Sequence, residues 1–466
     1  MRPDAPQPPA SVASSPGLPI HGKPGAMPSV RTARIKRAAT FGFPFVVVLS
    51  YLFVEYGRPA TWIPPLSILH LGAIVSILGV GCLLMHPPRA LPRLAKYMFA
   101  FLAVMALGIP MAGNRFYAFV WTKNFAIFLI TSILPLMIFV NSFARVRVLF
   151  RFWIAVNVLV SVYGLLHHGR GIGAFLADEN DFCLVTNMAA PYAFFLLSVA
   201  TSAMEKTLLG GSLAIFLAGS VMSWSRGGFL GLIAAGIFCW VRSPKKVASA
   251  LAILMLGVGV FLASPPSYWH EMKTIETSTN ENDTGYYRLY YWGVAWREFL
   301  DHPLMGVGPY NYQFSTGPYE SEHEKGRGHH LWGKASHSLY FTLLPEYGLL
   351  GTLLYAGIVI AGWRDRARIR KRYRTIQQRA GPSPELSQLR TLYYLTLALD
   401  ASLITFLVTG AFISVLYYPH FWLLTAFTGV VHYVFHKVAG EVEPSPALEP
   451  RRSRFRSPST ARARAT

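Results

Sequence analysis

The chain has 466 residues, of which 53% are hydrophobic and 14% charged, where a soluble domain carries about 25% charged residues. Apolar runs long enough to cross a bilayer core recur along it, which excludes a string of soluble domains. The formal charge of +21, from 43 Lys and Arg against 22 Asp and Glu, would suit nucleic acid, but these basic residues lie in short loops and tails between apolar runs, where they set orientation in a membrane.

Residues 1–40 are rich in Pro, Ser and Arg and have no apolar core. They read as a disordered basic tail and not as a signal peptide. About twelve spans are expected, nine of them within residues 41–264, near 41–56, 66–85, 97–113, 117–140, 148–167, 182–202, 207–224, 227–241 and 247–264. A polar loop, 265–336, follows, and three more spans are expected within 337–436, near 337–362, 391–412 and 417–436. Residues 437–466 read as a second disordered basic tail. The expected fold is an all-α polytopic membrane protein.

With both termini inside, Arg89, Arg93, Lys96, Arg145, Arg147, Arg151, Lys206, Arg242, Lys245, Lys246 and the basic run Arg364–Arg374 all fall in inner loops. This obeys the positive-inside rule. It puts three segments on the outer face: the 168–181 loop with its acidic run Asp178-Glu179-Asn180-Asp181, the turn Ser223-Trp224-Ser225-Arg226-Gly227-Gly228, and the 265–336 loop. Cys82, Cys183 and Cys239 lie in or beside spans, with no disulfide or zinc spacing.

In the turn, Gly227 and Gly228 are expected to permit a sharp backbone reversal. Arg226 is then either a snorkelling side chain or the partner of an anion, since the orientation rule disfavours an outer arginine. The run Tyr286-Tyr287-Arg288-Leu289-Tyr290-Tyr291-Trp292 through Asp301-His302-Pro303 reads as an interfacial helix that ends before Pro303, with Arg288 at phosphate depth. Gly306-Val307-Gly308 reads as a structural turn, having no preceding strand and no following helix. His323, His329 and His330 have no helical ligand spacing and read as solvated loop residues, so no metal is expected.

Ser336 is expected to cap a helix that opens on His337. A helix N-terminus disfavours imidazolium, which would leave His337 neutral, as a general base requires. Deeper in the same span, Pro345 implies a kink. Glu346 and, in the next span, Asp400 are buried acids expected to pair with Arg or Lys.

Taken in order, Ser225-Arg226-Gly227-Gly228, Tyr287-Arg288 with Asp301-His302-Pro303-Leu304-Met305-Gly306-Val307-Gly308, and His337-Ser338 with Glu346-Tyr347-Gly348-Leu349-Leu350-Gly351 resemble the O-antigen ligase and polymerase superfamily. The resemblance is concentrated between residues 175 and 351. It implies a GT-C-like glycosyltransferase of the bacterial inner membrane, with its active site facing the periplasm. It would use no metal, nucleotide or other cofactor. The implied donor is a glycan on undecaprenyl diphosphate, held by Arg226 and Arg288. The implied base is His337, acting on an acceptor hydroxyl. Glu346, Asp181 and Tyr287 are candidate supporting residues.

Either a ligase to lipid A–core or a Wzy-type polymerase of O-antigen or exopolysaccharide repeat units fits this chemistry. A transporter of lipid-linked glycans ranks lower, because no internal repeat is visible. The partners expected are the lipid-linked donor, a glycan or lipid A–core acceptor and membrane lipids, without nucleic acid.

Overall fold

The computed structural model describes residues 41–173, 175–251, 254, 284–326 and 330–442. Both expected tails lie outside these residues except for 437–442, which are helical and not the disordered tail expected there, and most of the 247–264 span, the start of the polar loop and His329 lie outside them too. The described residues from Phe43 onward belong to one compact unit. Among the described residues the regular structure is helical throughout.

The apolar runs fold into α1 (Phe43–Gly57), α2 (Leu71–Met85), α3 (Arg93–Met111), α4 (Arg115–Phe139) and α5 (Phe143–Leu166). They continue as α6 (Glu179–Leu197), α7 (Ala203–Met222) and α8 (Arg226–Arg242), then α9 (Thr284–Asp301) within the polar loop. The last three are α10 (Leu339–Arg379), α11 (Pro384–Gly410) and α12 (Pro419–Val442). Helix starts follow side-chain caps: Ser142, Ser202, Ser225, Ser338 and Ser383 each accept the amide three residues on.

Five helices, α3, α4, α5, α10 and α11, are long and apolar enough to cross a membrane, and α1 and α2 are shorter apolar helices. Large apolar side chains such as Ile77, Leu84, Leu107, Phe116 and Leu353 remain exposed, as lipid-facing residues do. The chain is a multi-pass helical membrane protein.

The centre of the bundle is α6 and α11. α6 packs on α5, α7, α8 and α11, and α11 packs on α8, α10 and α12 as well. Small residues let these helices approach closely. A Cβ on Gly228 would stand 2.2 Å from Cys183 Sγ, and one on Gly231 would stand 2.0 Å from Thr409 Oγ1. The glycines of the Ser225–Gly228 turn therefore serve contact between helices. The reversal itself falls on Trp224, at φ 53°, which corrects the expectation placed on Gly227 and Gly228.

Interior charge is paired, as expected for Asp400. Its carboxylate accepts Arg366 Nε at 2.5 Å and Arg370 at 2.5 Å, while Arg366 also donates to Thr428 at 2.7 Å. Asp365 joins Arg93 at 2.5 Å. Both acids are held by hydrogen-bonded guanidiniums, which offset the cost of burying charge.

α10 is broken three residues past Pro345, at Gly348, where φ is 56° and ψ is −157°. Amides freed by the break are satisfied from the polar loop. Leu349 donates to the Pro303 carbonyl at 2.7 Å and Leu350 to Leu304 at 3.1 Å. In return, Val307 donates to the Pro345 carbonyl at 2.8 Å and Gly308 to Glu346 at 3.1 Å. The Gly306–Gly308 turn is thus one half of a backbone clasp. Gly306 has φ 69°, and a Cβ there would lie 2.3 Å from the Pro345 oxygen.

Candidate functional site

The clasp fixes α9 against the upper part of α10, since the chain has run from Asp301 to the break within a few residues. α9 ends at Asp301, ahead of Pro303, where the sequence places its end. Its two faces differ. Leu289, Trp296 and Leu300 are exposed along one stripe, as in a helix lying at a membrane surface. On the docked side, Trp292 Nε1 donates to the Ser336 carbonyl at 3.1 Å, and its ring stacks on Phe341 at 5.2 Å.

That hydrogen bond sets the residue before His337. His337 itself has φ 50°, in the left-handed region that L residues seldom occupy. Its ring lies nearly parallel to that of Tyr291, with centroids 6.3 Å apart and planes at 25°. The helix begins at Leu339, and its cap is Ser338, whose hydroxyl accepts the Phe341 amide. Ser336 is not the cap. Its hydroxyl bonds the Ser338 carbonyl at 3.1 Å and the hydroxyls of Thr342 at 2.8 Å and Ser414 at 3.4 Å. His337 therefore sits ahead of the helix, not in its first turn.

The reason for a neutral ring changes accordingly. His337 is open to solvent on one side, yet protein crowds the rest of it. Loss of water and then the Arg288 charge push its pKa below the ordinary histidine value, and Asp178 pulls the other way. Arg288 and Asp178 thus both act on this ring. Arg288 is half-buried on α9, one turn before Tyr291. Tyr287 lies beside it and meets Tyr286 edge-on at 5.8 Å.

Arg226 is the first residue of α8, directly after the Ser225 cap. The Ser225 hydroxyl donates to Asn180 Oδ1 at 2.7 Å. The turn is thereby tied to the acidic run, which opens α6: Asp178 is the cap of that helix and accepts the Asn180 amide at 2.8 Å. Asp181 is buried, and its Oδ2 accepts the Tyr418 hydroxyl at 3.3 Å. Toward α9, a Cβ on Gly227 would stand 3.0 Å from Phe412, whose ring lies 6.2 Å from Trp292. A chain of contacts thus joins the turn carrying Arg226, through Phe412 and Trp292, to Ser336 and His337. The sequence-picked Arg226, Arg288, His337 and Asp181 lie on elements that meet at one end of the bundle.

Glu346 stands apart from them. It is buried, and its oxygens accept the Tyr310 amide at 3.0 Å, the Tyr312 amide at 3.3 Å and the Tyr417 hydroxyl. The expected pairing with Arg or Lys is not what this carboxylate makes. Backbone donors from the turn after Gly308 arrive instead, so its place is to anchor that turn. Of the loop histidines, His330 faces Glu320 at 3.7 Å. The sequence reading missed Tyr291, Asn180, Tyr418 and Ser414. Only Tyr291 had a usable signal, its one-turn spacing from Arg288 on a helix.

Arginines on the α8 and α9 elements that meet here, with an imidazole open to solvent on one side, are the kinds of group that can hold a diphosphate and take a proton from a hydroxyl. Residues 211–356 match the family described as Wzy_C, O-antigen ligase. No curated protein matches the chain.

Proposed function

The chain belongs to the O-antigen ligase superfamily, and on that premise we propose that it transfers a glycan from undecaprenyl diphosphate to an acceptor hydroxyl at the periplasmic face of a bacterial inner membrane. The observation that carries this reading is the meeting of His337, Tyr291 and the Arg288 charge beside the turn that holds Arg226.

In this reaction the acceptor oxygen attacks the anomeric carbon and the bond from that carbon to the phosphate oxygen breaks. The electron pair leaves with the diphosphate. The hydroxyl proton goes to the His337 ring, whose crowding and positive neighbour keep it neutral and ready to accept. Charge grows on the departing diphosphate, and Arg226 and Arg288 meet it with forked N–H groups. Each such hydrogen bond to a charged group contributes about 1.5–3 kcal/mol. One displacement inverts the anomeric centre. Asp178, whose charge reaches the His337 ring, is suited to orient hydroxyls of the acceptor, and buried Asp181, bonded by Tyr418, supports that end of α6.

The test is the glycan phenotype of a deletion strain complemented with wild type, Arg288→Ala or His337→Ala. Long polymer stranded on undecaprenyl diphosphate in the deletion strain identifies a ligase. Single repeat units stranded there identify a polymerase of the same chemistry. Full complementation by both variants would refute the assigned roles.

A further inference from the structure

The φ of 50° at His337 lies in the left-handed region, which disfavours any residue that carries a Cβ. Such an outlier persists only where its surroundings over-determine it. Here they do so from both sides. After His337, Ser338 caps α10, and its carbonyl accepts the Ser336 hydroxyl at 3.1 Å. Before it, the Ser336 carbonyl accepts Trp292 Nε1 at 3.1 Å. The first hold is local. The second reaches across 44 positions from α9.

Trp292 is itself held in place. Its ring is nearly parallel to that of Phe341 in α10, with planes at 12° and centroids 5.2 Å apart. On another side it stands 6.2 Å from Phe412, the ring that a Cβ on Gly227 would approach to 3.0 Å. Gly227 follows Arg226 in the chain, and Arg288 lies one turn before Trp292 on α9. An indole on a helix at a membrane surface ordinarily serves the water–lipid interface. Exposed Trp296, one turn further along, fits that role. Trp292 does not, because its N–H is committed to the peptide that precedes His337.

We infer that Trp292 is a positioning residue, which holds His337 in its left-handed conformation and in register with the backbones that carry Arg226 and Arg288. Its catalytic meaning rests on the transfer reading above. Without the indole N–H, the peptide before His337 is free to turn, φ relaxes toward negative values, and the imidazole leaves its place beside Tyr291. The backbones of both arginines keep their positions, so the chemical step suffers while donor binding does not.

The test places 3-benzothienylalanine at position 292 of the full-length protein by codon suppression. That side chain keeps the shape of the indole and lacks its N–H. Transfer is assayed with donor and acceptor extracted from the deletion strain, beside thermal melting and an NMR titration of labelled histidine, in which His337→Gln assigns the signal. The kcat should fall about 10- to 100-fold, as for a reacting group misplaced by about 1 Å, with donor KM unchanged. The melting temperature should drop by no more than about 4 °C, the loss of one neutral hydrogen bond. The His337 titration should move to higher pH, because the ring leaves the crowding and the Arg288 charge that hold it down. The control Trp296→Phe should change none of these. A titration that stays in place would overturn the inference whatever the rate, and so would a raised donor KM at normal kcat. If wild type itself transfers nothing, the reaction is wrong, and the titration alone decides the positioning.

Discussion

The Ser225 hydroxyl donates to Asn180 Oδ1 at 2.7 Å while accepting the Gly228 amide at 3.0 Å. One side chain thus caps α8 and ties it to the first turn of α6, which fixes the backbone of Arg226 relative to Asp178 and Asp181. Ser225→Ala removes both bonds. It should lower stability by about 1 kcal/mol, as loss of a helix cap does. Transfer should fall further than the lost stability explains, and Ser225→Thr should restore most of it. Thermal melting beside transfer assays in proteoliposomes checks this, and undiminished transfer by Ser225→Ala would count against a positioning role.

His337 should set the acidic limb of the pH–rate profile. Crowding first and Arg288 second hold its pKa below the ordinary value, so the neutral base persists to lower pH than a free histidine would allow. Removing the positive neighbour makes imidazolium easier to form. Arg288→Gln should therefore move the acidic limb to higher pH, besides slowing the reaction. His337→Ala should cost about 10²–10⁴-fold on the plateau above that limb, and less below it. A limb that stays in place in Arg288→Gln would show that the ring does not feel this charge.

Gly348 should tolerate no side chain. Its φ of 56° and ψ of −157° belong to glycine alone, and a Cβ would stand 2.5 Å from the Leu304 carbonyl carbon. Gly348→Ala should cost about 3 kcal/mol or more, visible as a lower melting temperature or lost expression. Gly357 lies on the same helix with nothing within 4 Å of a Cβ, so Gly357→Ala should be neutral or mildly stabilising. Equal behaviour of the two variants would argue against the clasp.

These positions show what a sequence can disclose. Pro303 marks the end of α9, and Pro345 announces a disturbance in α10, because proline's missing N–H and ring act locally. The true break at Gly348 depends on carbonyls 44 and 45 positions earlier, at Leu304 and Pro303. Glu346 invited an arginine partner, since buried acids usually need a cation. Its partners are the Tyr310 and Tyr312 amides, and an amide looks the same in every residue that carries one. Ser336 and Ser338 are equal as candidate caps on paper. The choice between them falls to Thr342 and Ser414, which engage the Ser336 hydroxyl. Arg226, Arg288 and His337 were legible as types at outer turns. That Tyr291 meets His337 was not, because it requires the docking of α9.

Glu298 offers a test of stability without chemistry. It is fully buried on α9, and the Ser315 hydroxyl beside it donates to the Asn311 carbonyl at 2.7 Å instead. Among the described residues neither Glu298 oxygen has a well-formed hydrogen bond, and the nearby Ser315 hydroxyl only partly counters its burial. Burial pushes its pKa up from 4.5 to about 8, with Glu346 adding repulsion. The folded state thus favours the protonated acid. Stability should be unaffected below pH 4.5 and should fall as pH rises from there toward 8, by on the order of a few kcal/mol. Glu298→Gln should flatten that decline. Melting curves at pH 5 and pH 9 check it, and parallel curves for the two proteins would show that Glu298 is solvated.

The exchange of four backbone hydrogen bonds between Pro303–Gly308 and Pro345–Leu350 sets where this protein can be cut and rejoined. A chimera that imports a relative's outer loop up to His337, and keeps its own α10, separates the two halves of one joint. The exposed residues Ser321, Glu322 and His323 are different, because the buried Asn311, Tyr312, Thr316 and Ser336 on either side of them hold the loop. They are the place where insertions can accumulate while the frame around His337 keeps its shape. Short grafts belong there, and grafts of the whole loop should carry 345–350 with them.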